Sequence, residues 1–371
     1  MEHGAIDLHK KESQIRMVTE SGQIIDQRIA TTRDRFTHVF WGGPRMRILI
    51  EASTESEWVA QHLEHLGHDV IVADPNYGPM YGHRSRRIKT DRRDAAALTE
   101  ACQHGTYRVA HRRSARQHTV QCQLNVRQEL TQTRTRAISL ARAITRGAGL
   151  RIRSGRTETF LARLAALELP DSMKGTLTPL RSVIEILDDE LTTADEQFEA
   201  MVAADPIVKR LTTLPGIGPI TASAFVAALD TVSRFEGAGQ VTSYLGLVPR
   251  EYSSGEKQRR GRIVRSAHPH LQSLLVQAAW RMSRSASAET AGLRAWAQAI
   301  TQRRGKRIAM VALARRLARI LFAMWRDDTE YQANRIRTGG EASAKRALAP
   351  RESRPTESAA SPSVSLTMVG T

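Results

Sequence analysis

Short apolar runs separated by turn residues fill the first thirty positions of the chain, and apolar stripes at helical spacing follow. The runs near 3–8, 14–19 and 23–29 predict strands, with the Ser21-Gly22 turn between the second and third. A short helix is expected over 32–41, then a strand at 46–51, a helix from Thr54 to Leu66 and a strand at Asp69–Ala73. The segment DPNYGPMYG is irregular, and a helix runs from about Asp91 to Cys102. Three leading strands able to pair as hairpins, then helix, strand, helix, strand, helix, is the element order of an RNase H-like α/β domain.

Further on, Val120, Leu124, Val126, Leu130, Ile138, Leu140 and Ile144 recur among arginines and glutamines, predicting a long helix from about 115 to 147. A second stretch, Leu177 to Met201, repeats the pattern around an acidic Asp188-Asp189-Glu190 insert, with Pro170 and Gly175 separating the two. Together they predict a helical hairpin or coiled coil that spaces two domains and can dimerise. The apolar stretch 308–325 is interrupted by Arg315, Arg316 and Arg319, so it reads as an amphipathic helix and not a membrane span. Beyond about Arg337, serine, alanine and proline dominate, and a disordered tail is expected because too little apolar surface is left to offset the entropy of ordering. The domain boundaries expected are 1–110, a helical region at 111–205, a mainly α domain at 206–330 and the tail at 331–371.

Charge points to a polyanionic partner. The 371-residue chain carries a formal net charge of +17, spread over HRSRRIK before Asp91, HRRSAR at 111–116, RIRSGR at 151–156 and RRGKR at 303–307. Cys102 and Cys122 stand outside any CxxC or CxxH spacing, which excludes a disulfide framework and structural zinc. With no signal-peptide pattern, a cytoplasmic, nucleoid-associated protein is expected.

Against that basic background, four carboxylates are conspicuous. Asp91 and Asp94 are three residues apart at a helix start, on one face; helix capping alone would explain them. Asp7 follows the run Gly4-Ala5-Ile6, and Glu51 follows Ile48-Leu49-Ile50. A carboxylate at the end of a buried strand is costly unless it is compensated, and a divalent cation shared by several carboxylate oxygens compensates it.

Two motifs in the second half suggest DNA contact. In LPGIGPITASAFVAAL, at 214–229, the Gly216-Ile217-Gly218 turn predicts a helix-hairpin-helix whose backbone N–H groups approach a phosphate; a plain helix–helix turn is the other reading. In the loop Ser253 to Arg262, Ser254 precedes Gly255 and is followed by Lys257, Arg259, Arg260 and Arg262. Such cations neutralise a phosphodiester and stabilise charge developing on it during attack by a hydroxyl.

In order and separation, AIDLHKKES, ILIEASTES, KTDRRDAAAL, LPGIGPITA, YLGLVPREYSSGEKQRRGRI and HPHLQSLLVQAAW resemble the DEDD-type insertion-sequence transposases, over residues from about 3 to 325. The resemblance implies a RuvC-like N-terminal domain whose metal-binding tetrad is Asp7, Glu51, Asp91 and Asp94, and a C-terminal transposase domain whose nucleophile is Ser254, with Ser253 the lesser candidate. It further implies Mg²⁺, double-stranded donor and target DNA, a structured bridge RNA that chooses sequence by pairing, and a homo-oligomer, dimer or tetramer, in which tetrad and serine come from different protomers. Ala52-Ser53-Thr54 and Ser266-Ala267-His268 depart from the family pattern, at fine contacts and not at the tetrad or the serine. A metal-dependent junction resolvase would use the same tetrad with water and needs no serine loop, and a DNA-architectural protein leaves the tetrad unexplained.

Overall fold

The structure, a computed structural model, describes residues 1–82, 90–254, 257–264 and 268–333. Its contacts divide the chain into two compact units, one from Met1 to Ser114 and one from Ala115 onward.

In the first unit the strands β1 (Glu2–Leu8), β2 (Glu12–Val18) and β3 (Ile24–Ala30) form two successive antiparallel pairs, followed by α1 (Arg33–Phe40), β4 (Met46–Glu51), α2 (Ser56–His65), β5 (Asp69–Ala73) and α3 (Asp91–His104). The sheet order is β3-β2-β1-β4-β5, with β4 parallel to both β1 and β5. Successive side chains of a strand point to opposite faces. Ile6, Leu8, Ile48 and Ile50 therefore pack with Phe36, Phe40, Val59 and Leu63 of α1 and α2 on one face. On the other, Ala5 and Leu49 pack against Leu98, Ala101 and Cys102 of α3. Each element begins and ends within a few residues of its predicted span, and the mixed sheet with flanking helices is the α/β arrangement expected.

The second unit is mostly helical. Its elements are α4 (Ala115–Gly147), α5 (Phe160–Ala165), α6 (Asp171–Val202), α7 (Pro206–Thr212), α8 (Pro219–Leu229), α9 (Ala238–Tyr244), β6 (Pro249–Ser254), β7 (Lys257–Ile263), α10 (Pro269–Arg284), α11 (Ala291–Arg304) and α12 (Lys306–Arg326). Helices α4 and α6 run antiparallel: Arg127 pairs with Asp195 and, two turns on, Arg134 Nη1 lies 2.6 Å from Asp188 Oδ1. Between them Ile138, Ala141, Leu177 and Ile184 are buried with Phe160 and Leu164 of α5. At the other end of the hairpin Val120, Leu124, Phe198 and Val202 join the core of α7 to α12.

Two local expectations change. Pro170 is the cap of α6, but Gly175 lies inside that helix, and so does Pro179, which donates no bond to the Gly175 carbonyl. A proline in the third turn of a 32-residue helix disturbs it less than one at its centre, and the apolar stripe from Leu177 onward holds the rest in place. The serine segment, predicted as a loop, is an antiparallel ribbon of β6 and β7, with Ser254 paired to Lys257 and Ser253 to Gln258. Its backbone register sets Glu251 opposite Arg260. The amphipathic helix predicted over 308–325 is α12, and among the described residues no helix is long and apolar enough to cross a membrane. The basic run at 83–89, Gly255-Glu256, Ser266-Ala267 and the predicted tail from 334 onward lie outside the described residues.

Ile184 is fully buried in the hairpin, whereas Ile186, two residues on, is 60% exposed. Ile184→Ala is expected to lower unfolding stability by about 2–5 kcal/mol and Ile186→Ala by less than about 0.5 kcal/mol, read from denaturant midpoints.

Candidate active site

Backbone register brings the first two carboxylates together. The last paired residues of the parallel β1–β4 ladder are Ile6 and Ile50, so Asp7 and Glu51 follow side by side at the C-terminal ends of neighbouring strands. Both alternate with residues buried toward α1 and α2, which directs them to the face covered by α3.

Helix α3 supplies the other two. Thr90 caps it, its hydroxyl accepting from the Arg93 N–H at 3.4 Å, so Asp91 and Asp94 fall in the first turn. Asp94 is buried, and Asp91 stands half-exposed at the rim. The intervening Arg92 turns away and donates from Nε to Asp26 Oδ2 at 3.0 Å. Asp26 in turn receives a bidentate pair from Arg16 at 2.7 and 2.8 Å, which ties the start of α3 to the β2–β3 hairpin. These guanidinium contacts hold the Asp26 carboxyl below its ordinary value.

Three of the four predicted carboxylates, Asp7, Glu51 and Asp94, line one cleft of about 390 Å³ together with Ser53, and Asp91 stands close enough to act on Asp7 electrostatically. Burial pushes the Asp7 carboxyl up; His9 opposes the shift, and the neighbouring charges of Asp94, Asp91 and Glu51 add to it. Asp7 Oδ2 is buried and has no hydrogen-bond partner. A buried carboxylate oxygen facing three further carboxylates is an unfavourable arrangement for the protein alone and a good one for a hard divalent cation.

Two side chains at the cleft escaped the sequence reading. Tyr81, delivered by a 3₁₀ turn at Gly78–Tyr81, donates its hydroxyl to Glu51 Oε2 at 2.7 Å. His9 Nε2 lies 3.4 Å from Asp7 Oδ2 and 3.4 Å from Asp91 Oδ1. Tyr81 carries no signal in an irregular segment, but His9 does: an Asp-x-His spacing continuing a strand puts both side chains on one face.

In the second unit, the backbone places Ser253 and Ser254 at the end of β6, with Lys257, Arg259, Arg260 and Arg262 on β7. Gln272 of α10 holds the base of this ribbon, its Nε2 donating to Leu245 O at 2.7 Å and to Val264 O at 3.3 Å. Thus the motif HPHLQ contributes a positioning residue that sequence alone did not single out.

At the other predicted DNA contact, Gly216 adopts φ +90° between α7 and α8, a conformation that disfavours any side chain. Gly218 caps α8 without a side-chain hydrogen bond, and the first helical residue, Pro219, has no N–H to satisfy. A cleft of about 210 Å³ opens there, lined by Gly216, Gly218, Thr221, Arg127 and Arg281, with Glu199 at its side.

Two family profiles match the chain. One, the IS116/IS110/IS902 family of transposases, matches residues 208–293; the other, a transposase profile of the DEDD, IS110 type, matches residues 5–147. A probable family 20 transposase of Pseudomonas aeruginosa is 32% identical over 336 residues, covering 88% of this chain and 97% of the relative. The transposase for insertion sequence element IS1328 of Yersinia enterocolitica is 26% identical over 330 residues, with the same coverages of 88% and 97%. That for element IS1111A of Coxiella burnetii is 29% identical over 241 residues, 64% of this chain and 66% of its own.

The raised Asp7 carboxyl has a consequence for stability. A carboxyl whose folded value lies above its unfolded one contributes stability that is complete below the unfolded value and is lost as pH rises through the folded one. Asp7→Asn is therefore expected to raise the unfolding temperature of the chelator-treated protein at pH 7 and to leave it nearly unchanged at about pH 3. Calorimetry at the two pH values reads the difference, and an unchanged or lower midpoint at neutral pH would contradict the cost assigned to Asp7.

Proposed function

Because the chain belongs to the IS116/IS110/IS902 family of transposases, we propose that it exchanges DNA strands through a serine nucleophile, Ser254, aided by a divalent cation held at Asp7, Glu51, Asp91 and Asp94. The observation that carries the metal half of this reading is the buried Asp7 oxygen that accepts no hydrogen bond and stands among the other three carboxylates. Support for the serine half is that the 208–293 match spans the whole β6–β7 ribbon.

The four carboxylates by themselves suit a hard divalent cation such as Mg²⁺, which when bound would neutralise and polarise a scissile phosphate. The protein's own groups do the rest. Sheet register fixes Asp7 beside Glu51, the Tyr81 hydroxyl holds one Glu51 oxygen, and the capped start of α3 presents Asp91 and Asp94. Ser254 attacks the phosphorus; a phosphoserine bond forms as a DNA hydroxyl leaves with the proton. A hydroxyl of the partner duplex then attacks that phosphoserine, restoring the serine O–H and a phosphodiester. Lys257, Arg259, Arg260 and Arg262 offset the charge that develops at phosphorus, and Gly216 and Gly218 let backbone N–H groups grip a phosphate of the DNA.

On this reading the RuvC-like unit and the serine-bearing unit act as a homo-oligomer, dimer or tetramer, with the two halves of a site drawn from different protomers. A structured bridge RNA supplies sequence choice by pairing with donor and target, while the net charge of +17 supplies backbone affinity that carries no sequence information.

A denaturing gel tests the chemistry. With Mg²⁺, donor and target DNA and RNA from the element's flanks, the wild type is expected to give a covalent protein–DNA adduct. Ser254→Ala and Asp91→Ala should each lower its yield on the order of 10³-fold. Cleavage without adduct that survives Ser254→Ala would identify a metal-dependent nuclease of the junction-resolvase kind instead.

A further inference from the structure

We propose that His9 is a nitrogen ligand of the carboxylate centre, so that the bound ion meets a mixed oxygen and nitrogen donor set and Mn²⁺ is preferred to Mg²⁺. The inference rests on the metal reading of the tetrad and adds to it a residue outside the tetrad.

Position comes first. His9 follows the end of β1, two residues after Asp7, so its side chain continues the face from which Asp7 emerges. Its backbone is fixed: the Thr31 hydroxyl donates to the His9 carbonyl at 2.8 Å, and the Thr31 N–H donates to the Lys11 carbonyl at 3.0 Å. That hydroxyl also lies 2.7 Å from the hydroxyl of Ser13, which is fully buried. The turn between β1 and β2 is thereby clamped to the end of β3, and the imidazole is held at the wall of the cleft.

Spacing comes second. The Nε2 atom is 3.4 Å from one oxygen of Asp7 and 3.4 Å from one of Asp91, and candidate ligand atoms of the three residues all lie within 4.8 Å of one another. A charge-assisted N–H···O bond is about 2.7–2.9 Å long, so these atoms stand apart by more than a direct bond would set. Neighbouring ligands of an octahedral ion, each about 2.1 Å from it, are about 3 Å apart. The three atoms therefore surround a space of ligand-sphere dimensions and do not close onto each other. Asp7 Oδ2, buried and with no hydrogen-bond partner, faces that space.

Donor chemistry then sets the preference. Mg²⁺ binds oxygen almost alone and gives up its waters reluctantly, whereas first-row transition ions accept imidazole nitrogen. Replacing one oxygen of the shell by nitrogen shifts selectivity toward Mn²⁺ without altering the carboxylates.

The test uses the full chain loaded with Mn²⁺ and measures electron spin echo envelope modulation, which detects a ligating ¹⁴N directly. Wild type is expected to show the nitrogen modulation and His9→Gln to lose it. Calorimetric titration should find Mn²⁺ binding to His9→Gln weakened about tenfold or more, with Mg²⁺ binding changed less than about threefold. Bound Mn²⁺ without nitrogen modulation, or modulation that persists in His9→Gln, would overturn the assignment of His9 and leave the tetrad standing. If Asp91→Ala binds Mn²⁺ as tightly as wild type, the metal reading of the tetrad fails, and the role of His9 with it.

Discussion

The carboxylate centre depends on the parallel pairing of β1 with β4. That ladder sets Ile6 beside Ile50 and hence Asp7 beside Glu51. Because side chains alternate between faces, a slip of one residue would send one of the pair into the apolar layer under α1 and α2 and bring an isoleucine to the cleft. What prevents the slip is the core itself. Ile6, Ile48 and Ile50 are fully buried on one face, and Ala5 and Leu49 on the other. The apolar residues that make the strands thus also fix the spacing of the acids that end them.

Helix α3 meets the second requirement, that Asp91 and Asp94 arrive at the same place. Its apolar side packs on Ala5 and Leu49, which sets its height over the sheet. The Arg92 contact to Asp26 anchors its rotation, since with Arg92 directed outward from the first turn, Asp91 and Asp94, three residues apart on another face, are directed inward. Asp26, held also by Arg16, is therefore a structural carboxylate that serves the four proposed to meet the ion.

Much of this was legible in the sequence. The element order and nearly all the boundaries of the first unit follow from short apolar runs ended by Gly, Ser and Pro, and the placement of Asp7 and Glu51 at strand ends was visible before any register was known. What could not be read was which strands pair, and so which acids face each other, because strand pairing is decided by contacts remote in sequence. The β6–β7 ribbon was missed because PREYSS and KQRRGRI have almost none of the β-branched alternation that marks a strand; a short register and the Gln272 clamp at its base accompany the pairing instead. His9 was passed over because a single histidine is common on any surface, although its two-residue offset from Asp7 held the information.

A basic chain built around an acidic cleft also orders the events at the site. With its net charge of +17 the protein attracts a phosphate backbone, but the four carboxylates repel a phosphate that enters among them. On the proposed reading, a cation in the cleft turns that repulsion into attraction, so cation and scissile phosphate each raise the affinity for the other by the same factor. The cost assigned to burying Asp7 has its use here: an empty cleft excludes phosphate, and binding energy from the basic surface is spent on the backbone until the ion is in place. On that reading phosphate enters the cleft only with the ion, and electrostatics alone couples the two.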